Sequence, residues 1–298
     1  MLDEIDFRST FKTIGIIGTG LIGGSFGKAI KSRFPEVRVI GFDLNEDELN
    51  AALHTNCIDV AAKDLNEIGN ASDLIVLATP IRTYTGILKK LPTDIWNTTW
   101  LMDLGSVKGH AHQAVKRHLP KGAKFIGGHP MAGSEKCGCV NGSADLFDGA
   151  AFYLTCETSE WIAPIKSLVM ALGSEVRVID PLDHDRIVSV SSHVPHVTAS
   201  MLVSILHDDI SITETGGGYQ DTTRIAGSDP IMWTDIMLTN KEAVLKSLDQ
   251  LHAEIHKVIA MIDRDDEKAI YNYLETTRRK RLNEGGQQNG DHNRREAI

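Results

Sequence analysis

Two short segments of the chain carry side chains suited to proton transfer. His129 lies between Gly128 and Pro130, and a neutral imidazole accepts the proton of an alcohol while the alcohol carbon is oxidised. A plainer role for this histidine is a hydrogen bond to a backbone carbonyl. Ser106 follows a glycine at a predicted helix start, where its hydroxyl either caps the helix or reaches a substrate oxygen. His129 and Ser106 are the candidate catalytic residues.

Two further side chains that carry or can gain charge stand inside otherwise apolar segments. Arg224 precedes Ile225 and Ala226, and a guanidinium can grip a carboxylate through two parallel hydrogen bonds. His196 closes the segment His193-Val194-Pro195-His196. The alternatives are a structural ion pair for Arg224 and a hydrogen-bonded core histidine for His196. Both are candidate substrate-binding residues.

A glycine-rich turn near the N-terminus predicts a dinucleotide site. An apolar strand leads into Gly18-Thr19-Gly20-Leu21-Ile22-Gly23 and then into a helical pattern. In such a unit Gly18 permits the tight turn, Gly20 lets the backbone approach a pyrophosphate, and Gly23 lets the helix pack close to the strand. The N–H groups at the helix start, which include those of Leu21 and Ile22, face the anion.

An acidic residue indicates which nucleotide this turn would bind. Asp43 ends the second apolar strand about 20 residues past the last glycine, where a carboxylate bonds the ribose 2′-hydroxyl. A 2′-phosphate would be repelled by that carboxylate, and Leu44-Asn45 offers no arginine to neutralise it. The predicted cofactor is therefore NAD.

A repeating strand and helix pattern positions these residues. It predicts a mostly parallel sheet covered by helices, with ligands bound outside the C-terminal ends of the strands. That edge would collect the glycine turn, Thr79 and Pro80, Ser106 and His129. The predicted strands are 13–18, 37–43, 73–79, 99–104, 124–129, 151–156 and 175–180, and the predicted helices between them are 21–33, 46–54, 82–90, 108–118 and 160–172. The fold class is α/β: an N-terminal Rossmann-type, doubly wound, mostly parallel sheet followed by an all-α dimerisation domain.

Strand signals stop after Asp180-Pro181, which places the domain boundary there. Residues 1–182 form the predicted NAD-binding domain and 183–283 a helical substrate and dimerisation domain. Residues 284–298 lack apolar periodicity and are predicted to be a disordered tail. In 240–262, apolar residues repeat every three or four positions behind a candidate capping box, Thr239-x-x-Glu242. Such a face commonly packs against a second copy, so a homodimer is predicted.

Composition excludes several classes of protein. The 298 residues are 42% hydrophobic, which is ordinary for a globular chain, and the net charge of −9 disfavours nucleic acid and anionic membranes as partners. The basic run Arg278–Arg281 is interpreted as a solvated helix end. Apolar runs are too short to cross a bilayer and the N-terminus does not resemble a signal peptide, so the predicted location is the cytoplasm. The four cysteines lack metal-ligand spacing, and no metal is predicted.

Several motifs together resemble the prephenate dehydrogenase family, whose members use NAD to oxidise and decarboxylate prephenate to 4-hydroxyphenylpyruvate in tyrosine biosynthesis. The motifs occur in family order across roughly residues 13–282. One departure is Cys137-Gly138-Cys139, where Ser-Gly is more usual, and it affects the rim of the pocket. The matching segments are Gly20–Ser25, Asp103–Lys108, Gly127–Glu135, Asp183–His196 and Arg224–Trp233.

The resemblance implies a role for each candidate residue. His129 would be the base that polarises the ring hydroxyl while hydride leaves the same carbon for NAD, and Ser106 would bond that hydroxyl and orient the imidazole. Arg224 would clamp a substrate carboxylate, and His196 and Glu135 would line the pocket. If the surroundings of His129 are neutral, kcat/KM should fall as it protonates, with a midpoint near ~6.5.

Two other functions stay open from the sequence. An arogenate dehydrogenase, which takes the amino analogue of prephenate, would share the same motifs. A protein from a different class, a redox sensor that binds NAD(H) without turnover, would share the glycine turn and Asp43. Incubation with NAD and each substrate would separate these three functions.

Overall fold

The computed structural model describes the backbone of residues 6–133 and 136–292 and the side chains through residue 282. Its centre is an eight-stranded sheet with the order β3-β2-β1-β4-β5-β6-β7-β8. Neighbouring strands are parallel except for β6 and β7, which are antiparallel. The strands are β1 (Thr13–Ile17), β2 (Arg38–Phe42), β3 (Val60–Ala61), β4 (Leu74–Leu77), β5 (Trp100–Asp103), β6 (Phe125–Pro130), β7 (Ala151–Thr155) and β8 (Glu175–Val178).

Among the described residues, six α-helices accompany the strands and six follow them. The first six are α1 (Leu21–Arg33), α2 (Glu46–His54), α3 (Leu65–Ala71), α4 (Tyr84–Leu88), α5 (Lys108–His118) and α6 (Ile162–Ala171). The others are α7 (Pro181–Val188), α8 (Val194–Ser204), α9 (Gly217–Thr223), α10 (Pro230–Thr239), α11 (Lys241–Asp263) and α12 (Glu267–His292). A π-helical turn, Ser189–His193, joins α7 to α8. This sheet followed by helices confirms the predicted fold class.

The predicted strands and helices of the sheet region match the structure closely, but β3 and α3 were missed. β3 has two residues, both half-buried, and is too short to produce an alternating pattern. α3 has seven residues and is capped by Asp64, whose carboxylate accepts a hydrogen bond from the Glu67 N–H. Its two buried residues, Ile68 and Gly69, are too few to show a helical period.

Apolar side chains fill both faces of the sheet. β4 is buried along its whole length, which is why its sequence reads Leu-Ile-Val-Leu without alternation. One core contains Phe26, Phe147 and Phe152, and the core on the opposite face contains Tyr84 and Leu88. Burial on both faces holds the strands in place, and so it also fixes where the loops that follow them begin.

The chain divides into two compact units after Val244. The helices α7 to α10 therefore belong to the same unit as the sheet, and the predicted domain boundary at 182–183, where the strand signals stop, stays a prediction. α7 begins just there, with the Asp180 carboxylate accepting from the N–H groups of Leu182 and Asp183. Four cysteines, Cys57, Cys137, Cys139 and Cys156, are free thiols.

The second unit contains most of α11 together with α12. The capping box expected from Thr239 is not found, because Thr239 is the last residue of α10, its hydroxyl donates to the Asp235 carbonyl, and α11 begins only at Lys241. α12 runs to His292, into the stretch predicted to be a disordered tail, and 293–298 lie outside the described residues. The basic run therefore lies within α12, where Glu275 pairs with Arg278 and Arg279. Within the described chain, no helix combines the length and apolarity needed to cross a bilayer.

Candidate active site

The glycine-rich turn between β1 and α1 has the geometry expected of its three glycines. Gly18 has a φ of +94°, a left-handed conformation that favours glycine. A Cβ on Gly23 would lie 2.0 Å from the carbonyl oxygen of Gly18, so α1 can pack this closely only with glycine there. A Cβ on Gly20 would meet no atom of the described chain within 4 Å. The open side of Gly20 is where a pyrophosphate would reach the N-terminus of α1.

Asp43 follows β2, and its carboxylate contacts the glycine turn. Oδ2 accepts a hydrogen bond from the Thr19 N–H at 2.8 Å, and Oδ1 accepts one from the Asn45 N–H at 2.9 Å. A carboxylate offers about four lone-pair sites, so Asp43 keeps capacity for a ribose hydroxyl. The residue thus has a second role, holding the turn, that the sequence reasoning missed.

Thr79 and Pro80 lie next to the same turn. β4 pairs with β1 on the side opposite β2, which is the point where the strand order reverses and where open α/β sheets bind their ligands. A Cβ on Gly18 would lie 2.8 Å from Cγ2 of Thr79. The Thr79 hydroxyl shares a 2.8 Å hydrogen bond with the Thr83 hydroxyl. The glycine turn and the loop at Thr79 are therefore neighbours at the strand ends.

His129 lies at the end of β6, two strands beyond β4 in the sheet. The side chain is only 8% exposed. Its Nδ1 is 2.8 Å from Nε2 of His184, which α7 supplies, and Nδ1 of His184 is 2.8 Å from Oδ1 of Asp185. The three side chains form a continuous hydrogen-bonded row that starts at the strand end.

Asp185 also joins α7 to α5. Its Oδ1 accepts from the Lys108 N–H at 2.7 Å and its Oδ2 accepts from the Gly109 N–H at 2.8 Å. This carboxylate therefore caps α5 from another helix, at the end of the helix dipole that favours negative charge. The cap position of α5 itself is Val107, with no side-chain hydrogen bond. Ser106 therefore does not occupy the cap position of α5, and a bond from its hydroxyl to a substrate oxygen stays a prediction.

A buried ion pair supports the strand end beneath His129. Lys108 and Asp103 are both fully buried. The Lys108 ammonium donates to Oδ2 of Asp103 and to the Gly128 carbonyl, directly before His129. Asp103 also accepts from the Tyr84 hydroxyl at 3.1 Å and from the Gly128 N–H at 3.2 Å. Burial lowers the pKa of Lys108, while its aspartate partner opposes that shift.

The surroundings of His129 favour its uncharged form. Burial is the main cause that holds its pKa well below the ordinary histidine value, and His184, Lys108 and His193 lower it further by electrostatic repulsion. The midpoint near ~6.5 expected for kcat/KM assumed that the surroundings do not shift the pKa of His129. That assumption is wrong for this site. A histidine with such a pKa is a hydrogen-bond acceptor throughout the neutral pH range.

The histidines of the next helical segment are also buried. His196 stacks on Trp233 with the ring centroids 3.6 Å apart, and its Nδ1 has no partner among the described residues. His193 lies near Asn240, whose amide Nδ2 donates to Nδ1 of that ring at 3.2 Å and to the Asp185 carbonyl at 2.9 Å. Burial lowers the pKa of His193 to about 4. A buried imidazole nitrogen without a protein partner suits a site that receives a polar ligand.

The remaining predicted substrate residues are placed less completely. Arg224 is exposed and begins a short 3₁₀ turn at the end of α9. Glu135 lies outside the described residues, between Gly133 and Lys136. In the described part of the chain, no three histidine, cysteine, aspartate or glutamate side chains are grouped so that they could hold a metal ion.

Sequence reasoning assigned no role to several residues that build the site. His184 and Asp185 were noted only within a longer motif, and Lys108 only as the last residue of another. The only local sign of these three residues was a polar side chain among buried neighbours. That sign points to a role only when the residue that each side chain contacts is known. Contacts between α5 and α7, such as the hydrogen bond from the Lys108 N–H to Asp185, bring these residues together. Residues 108 and 185 are far apart in the sequence, so no local pattern predicts the contact.

Comparison with known proteins agrees with a sheet region followed by a helical region. A family model described as the nucleotide-binding domain of prephenate dehydrogenase matches residues 26–178. A second model, described as the dimerization domain of prephenate dehydrogenase, matches residues 180–276. The first match begins after the glycine turn, so the geometry of that turn is separate support for a nucleotide site.

Individual relatives agree with the family models. The prephenate dehydrogenase of Bacillus subtilis (strain 168) is 33% identical over 275 residues, which are 89% of this chain and 74% of that protein. A crystal structure of prephenate dehydrogenase from A. aeolicus, in complex with hydroxyphenyl propionate and NAD+, has a TM-score of 0.82 and 31% identity over 91% of this chain and 98% of that one. The Synechocystis arogenate dehydrogenase structure has a TM-score of 0.73 and 27% identity over 90% and 98%. The chain belongs to the prephenate dehydrogenase family.

Proposed function

We propose that this protein is an NAD-dependent prephenate dehydrogenase, which oxidises and decarboxylates prephenate to 4-hydroxyphenylpyruvate. The observation that carries the proposal is His129, a buried and uncharged imidazole at the end of β6, hydrogen-bonded through Nδ1 to His184. It lies two strands beyond β4, at the same edge of the sheet as the glycine turn, where open α/β sheets bind their ligands. Family membership and the A. aeolicus complex with NAD+ support the same activity.

The nucleotide would lie across the ends of β2, β1 and β4. Asp43 would bond the adenosine ribose, and the turn formed by Gly18, Gly20 and Gly23 would receive the pyrophosphate at the N–H groups of Leu21 and Ile22. Thr79 and Pro80 would contact the nicotinamide half. When bound, NAD supplies the hydride acceptor.

His129 would act at the ring hydroxyl of the substrate. Its unprotonated nitrogen accepts a hydrogen bond from that hydroxyl, which increases electron density on the carbon that loses hydride. As hydride leaves that carbon, the ring carboxylate departs as carbon dioxide and its bonding electron pair completes the aromatic ring. The hydroxyl proton stays with the product phenol. Ser106 would bond the same hydroxyl and fix its direction.

The substrate carries two carboxylates, and cationic or polar groups near His129 would bind them. Arg224 would clamp one carboxylate by paired hydrogen bonds. His196, through the Nδ1 that has no partner among the described residues, would donate or accept a further bond. Glu135 would line the same pocket. Aromatisation drives the chemistry, so alignment of the reacting carbon is the main task of these residues.

A homodimer is the expected assembly. Several large apolar side chains of α11 and α12 are exposed in the single chain, which a second copy would cover. They are Leu245, Ile255, Ile259, Ile262, Tyr271 and Leu274. The name of the family model that matches residues 180–276 supports this assembly. The cytoplasm is the expected location, since free cysteines are usual in a reducing compartment and Cys57, Cys137, Cys139 and Cys156 are free thiols.

One assay tests the proposal. Purified protein is incubated with NAD and either prephenate or arogenate, and NADH absorbance is followed. The expected result is NADH formation with prephenate together with release of carbon dioxide. Faster turnover with arogenate would identify an arogenate dehydrogenase instead. NAD binding without turnover of either compound would show a non-catalytic sensor and refute the proposal.

A further inference from the structure

We infer that His184 and Asp185 are positioning residues, which hold His129 in the tautomer that carries its proton on Nδ1 and leaves Nε2 free to accept the substrate hydroxyl. The inference rests on the proposed function for its consequence in catalysis. The tautomer itself follows from the hydrogen-bonded row His129, His184 and Asp185, whatever the substrate is.

The direction of the row is set at Asp185. Its carboxylate is an acceptor only, and it already accepts the N–H groups of Lys108 and Gly109 at 2.7 and 2.8 Å. These backbone donors fix both carboxylate oxygens in the frame of α5. Nδ1 of His184, 2.8 Å from Oδ1, must therefore be a donor and carry the proton.

In a neutral imidazole one ring nitrogen carries the proton and donates, and the other accepts. Burial lowers the pKa of His184, so the ring carries one proton, and that proton is on Nδ1. Nε2 of His184 is then an acceptor. The atom facing it at 2.8 Å is Nδ1 of His129, which must donate and therefore carries the proton of that ring.

The tautomer of His129 decides which hydrogen bond its Nε2 can form with the substrate. With its single proton on Nδ1, His129 presents an unprotonated Nε2, which is the form able to accept a hydrogen bond from a hydroxyl. In the opposite tautomer two nitrogen lone pairs would face each other across 2.8 Å, and Nε2–H would be a donor that cannot accept a hydrogen bond from the substrate hydroxyl. His184 is fully buried, and the Tyr153 ring meets it edge-on at 5.4 Å, so the imidazole has little freedom to rotate away.

The test compares two substitutions of His184. In His184→Gln the amide oxygen lies near the position of Nε2 and can still accept from His129, whereas His184→Leu offers no acceptor. His112→Leu is the matched control, because His112 is a half-buried histidine whose Nε2 hydrogen-bonds the Thr155 hydroxyl instead of belonging to the row of His129, His184 and Asp185. Its turnover should equal that of the unsubstituted protein. Steady-state kinetics with prephenate and NAD give kcat and KM separately.

For His184→Leu we expect kcat to fall by about 10-fold or more, with KM and NAD affinity changed by less than about 3-fold, because only the orientation and tautomer of His129 are lost. His184→Gln should recover most of the loss. An unchanged kcat in His184→Leu, or equal losses in the leucine and glutamine variants, would overturn the inference.

A spectroscopic measurement on the unsubstituted protein tests the tautomer directly. In histidine labelled with ¹⁵N, the protonated and unprotonated ring nitrogens are distinguished by chemical shift, and His129→Asn identifies the signals of His129. We expect Nδ1 protonated and Nε2 unprotonated. The reverse assignment would refute the inference. This measurement needs no turnover, so it stays informative if the assay with prephenate and arogenate refutes the proposed function.

Discussion

Replacement of Lys108 by methionine tests whether the buried ion pair supports the end of β6. Methionine has a similar length and volume, so the substitution removes charge and hydrogen bonds without opening a large cavity. The ammonium of Lys108 is lost as a donor to Asp103 and to the Gly128 carbonyl. The carboxylate of Asp103, fully buried, is left without its cation.

The size of the effect follows from what remains around Asp103. Breaking a buried pair by removal of one partner costs about 3–5 kcal/mol. Asp103 keeps three neutral donors, namely the Tyr84 hydroxyl and the N–H groups of Gly105 and Gly128, which places the expected loss near the lower end, ~3 kcal/mol. For a unit of this size that corresponds to a fall in Tm of roughly 6–12 °C.

Urea unfolding followed by circular dichroism measures the loss, with thermal unfolding as a second measurement. Lys116→Met is the matched control, because Lys116 lies on the same helix, α5, and is exposed. The control should change the free energy of unfolding by less than about 0.5 kcal/mol. If Lys108→Met were within about 1 kcal/mol of the unsubstituted protein, the ion pair would not support the strand end and the reasoning would be refuted.

Four further predictions concern the site itself. His129→Asn should lower kcat by roughly 10²- to 10⁴-fold with NAD affinity nearly unchanged, and comparable turnover in that variant would remove His129 from the mechanism. In the unsubstituted enzyme, kcat/KM should fall on the acid side only when His129 gains a proton. Because the pKa of His129 lies well below 6.5, the acid midpoint of the kcat/KM profile should also lie below that value. A midpoint at or above 6.5 would contradict the role of His129 as the acceptor. Gly20→Ala should leave Tm nearly unchanged and weaken NAD binding, whereas Gly23→Ala, whose Cβ would meet a carbonyl oxygen at 2.0 Å, should lower Tm; equal effects of the two on Tm would contradict the assigned roles. Asp43→Ser should relax the preference for NAD over NADP, with Asp43→Asn as the control that keeps an acceptor for the Thr19 N–H, and an unchanged cofactor ratio would show that the ribose is recognised elsewhere.

Much of the nucleotide-binding half could be predicted because its signals are local. The three glycines of the turn have distinct conformational or steric requirements, and each requirement is expressed at one position. Strands buried on both faces, such as β4, read as uninterrupted apolar runs. β3 and α3 were missed because each buries too few residues to form a period. The capping box at Thr239 was wrong because α10 extends through Thr239 and α11 begins at Lys241, two residues later.

The candidate site was predicted only in part. His129 could be selected because it follows a strand of a parallel sheet, and such positions converge at one edge. Its tautomer and its depressed pKa could not be predicted, since they depend on His184 and Lys108, which come from other elements. Of the two roles expected for Ser106, capping of α5 is performed by Asp185 from another helix, and a bond to the substrate stays a prediction.

The sequence by itself determined most of the strands and helices of the sheet region and which residue types lie at their ends, because backbone conformation and apolar periodicity are properties of neighbouring residues. The tertiary structure alone decided which of those residues share hydrogen bonds, how far each is removed from water, and so which protonation state each adopts. Those properties depend on electrostatic interactions between groups distant in sequence, as between residues 129 and 184. Their strength depends on burial by the whole fold.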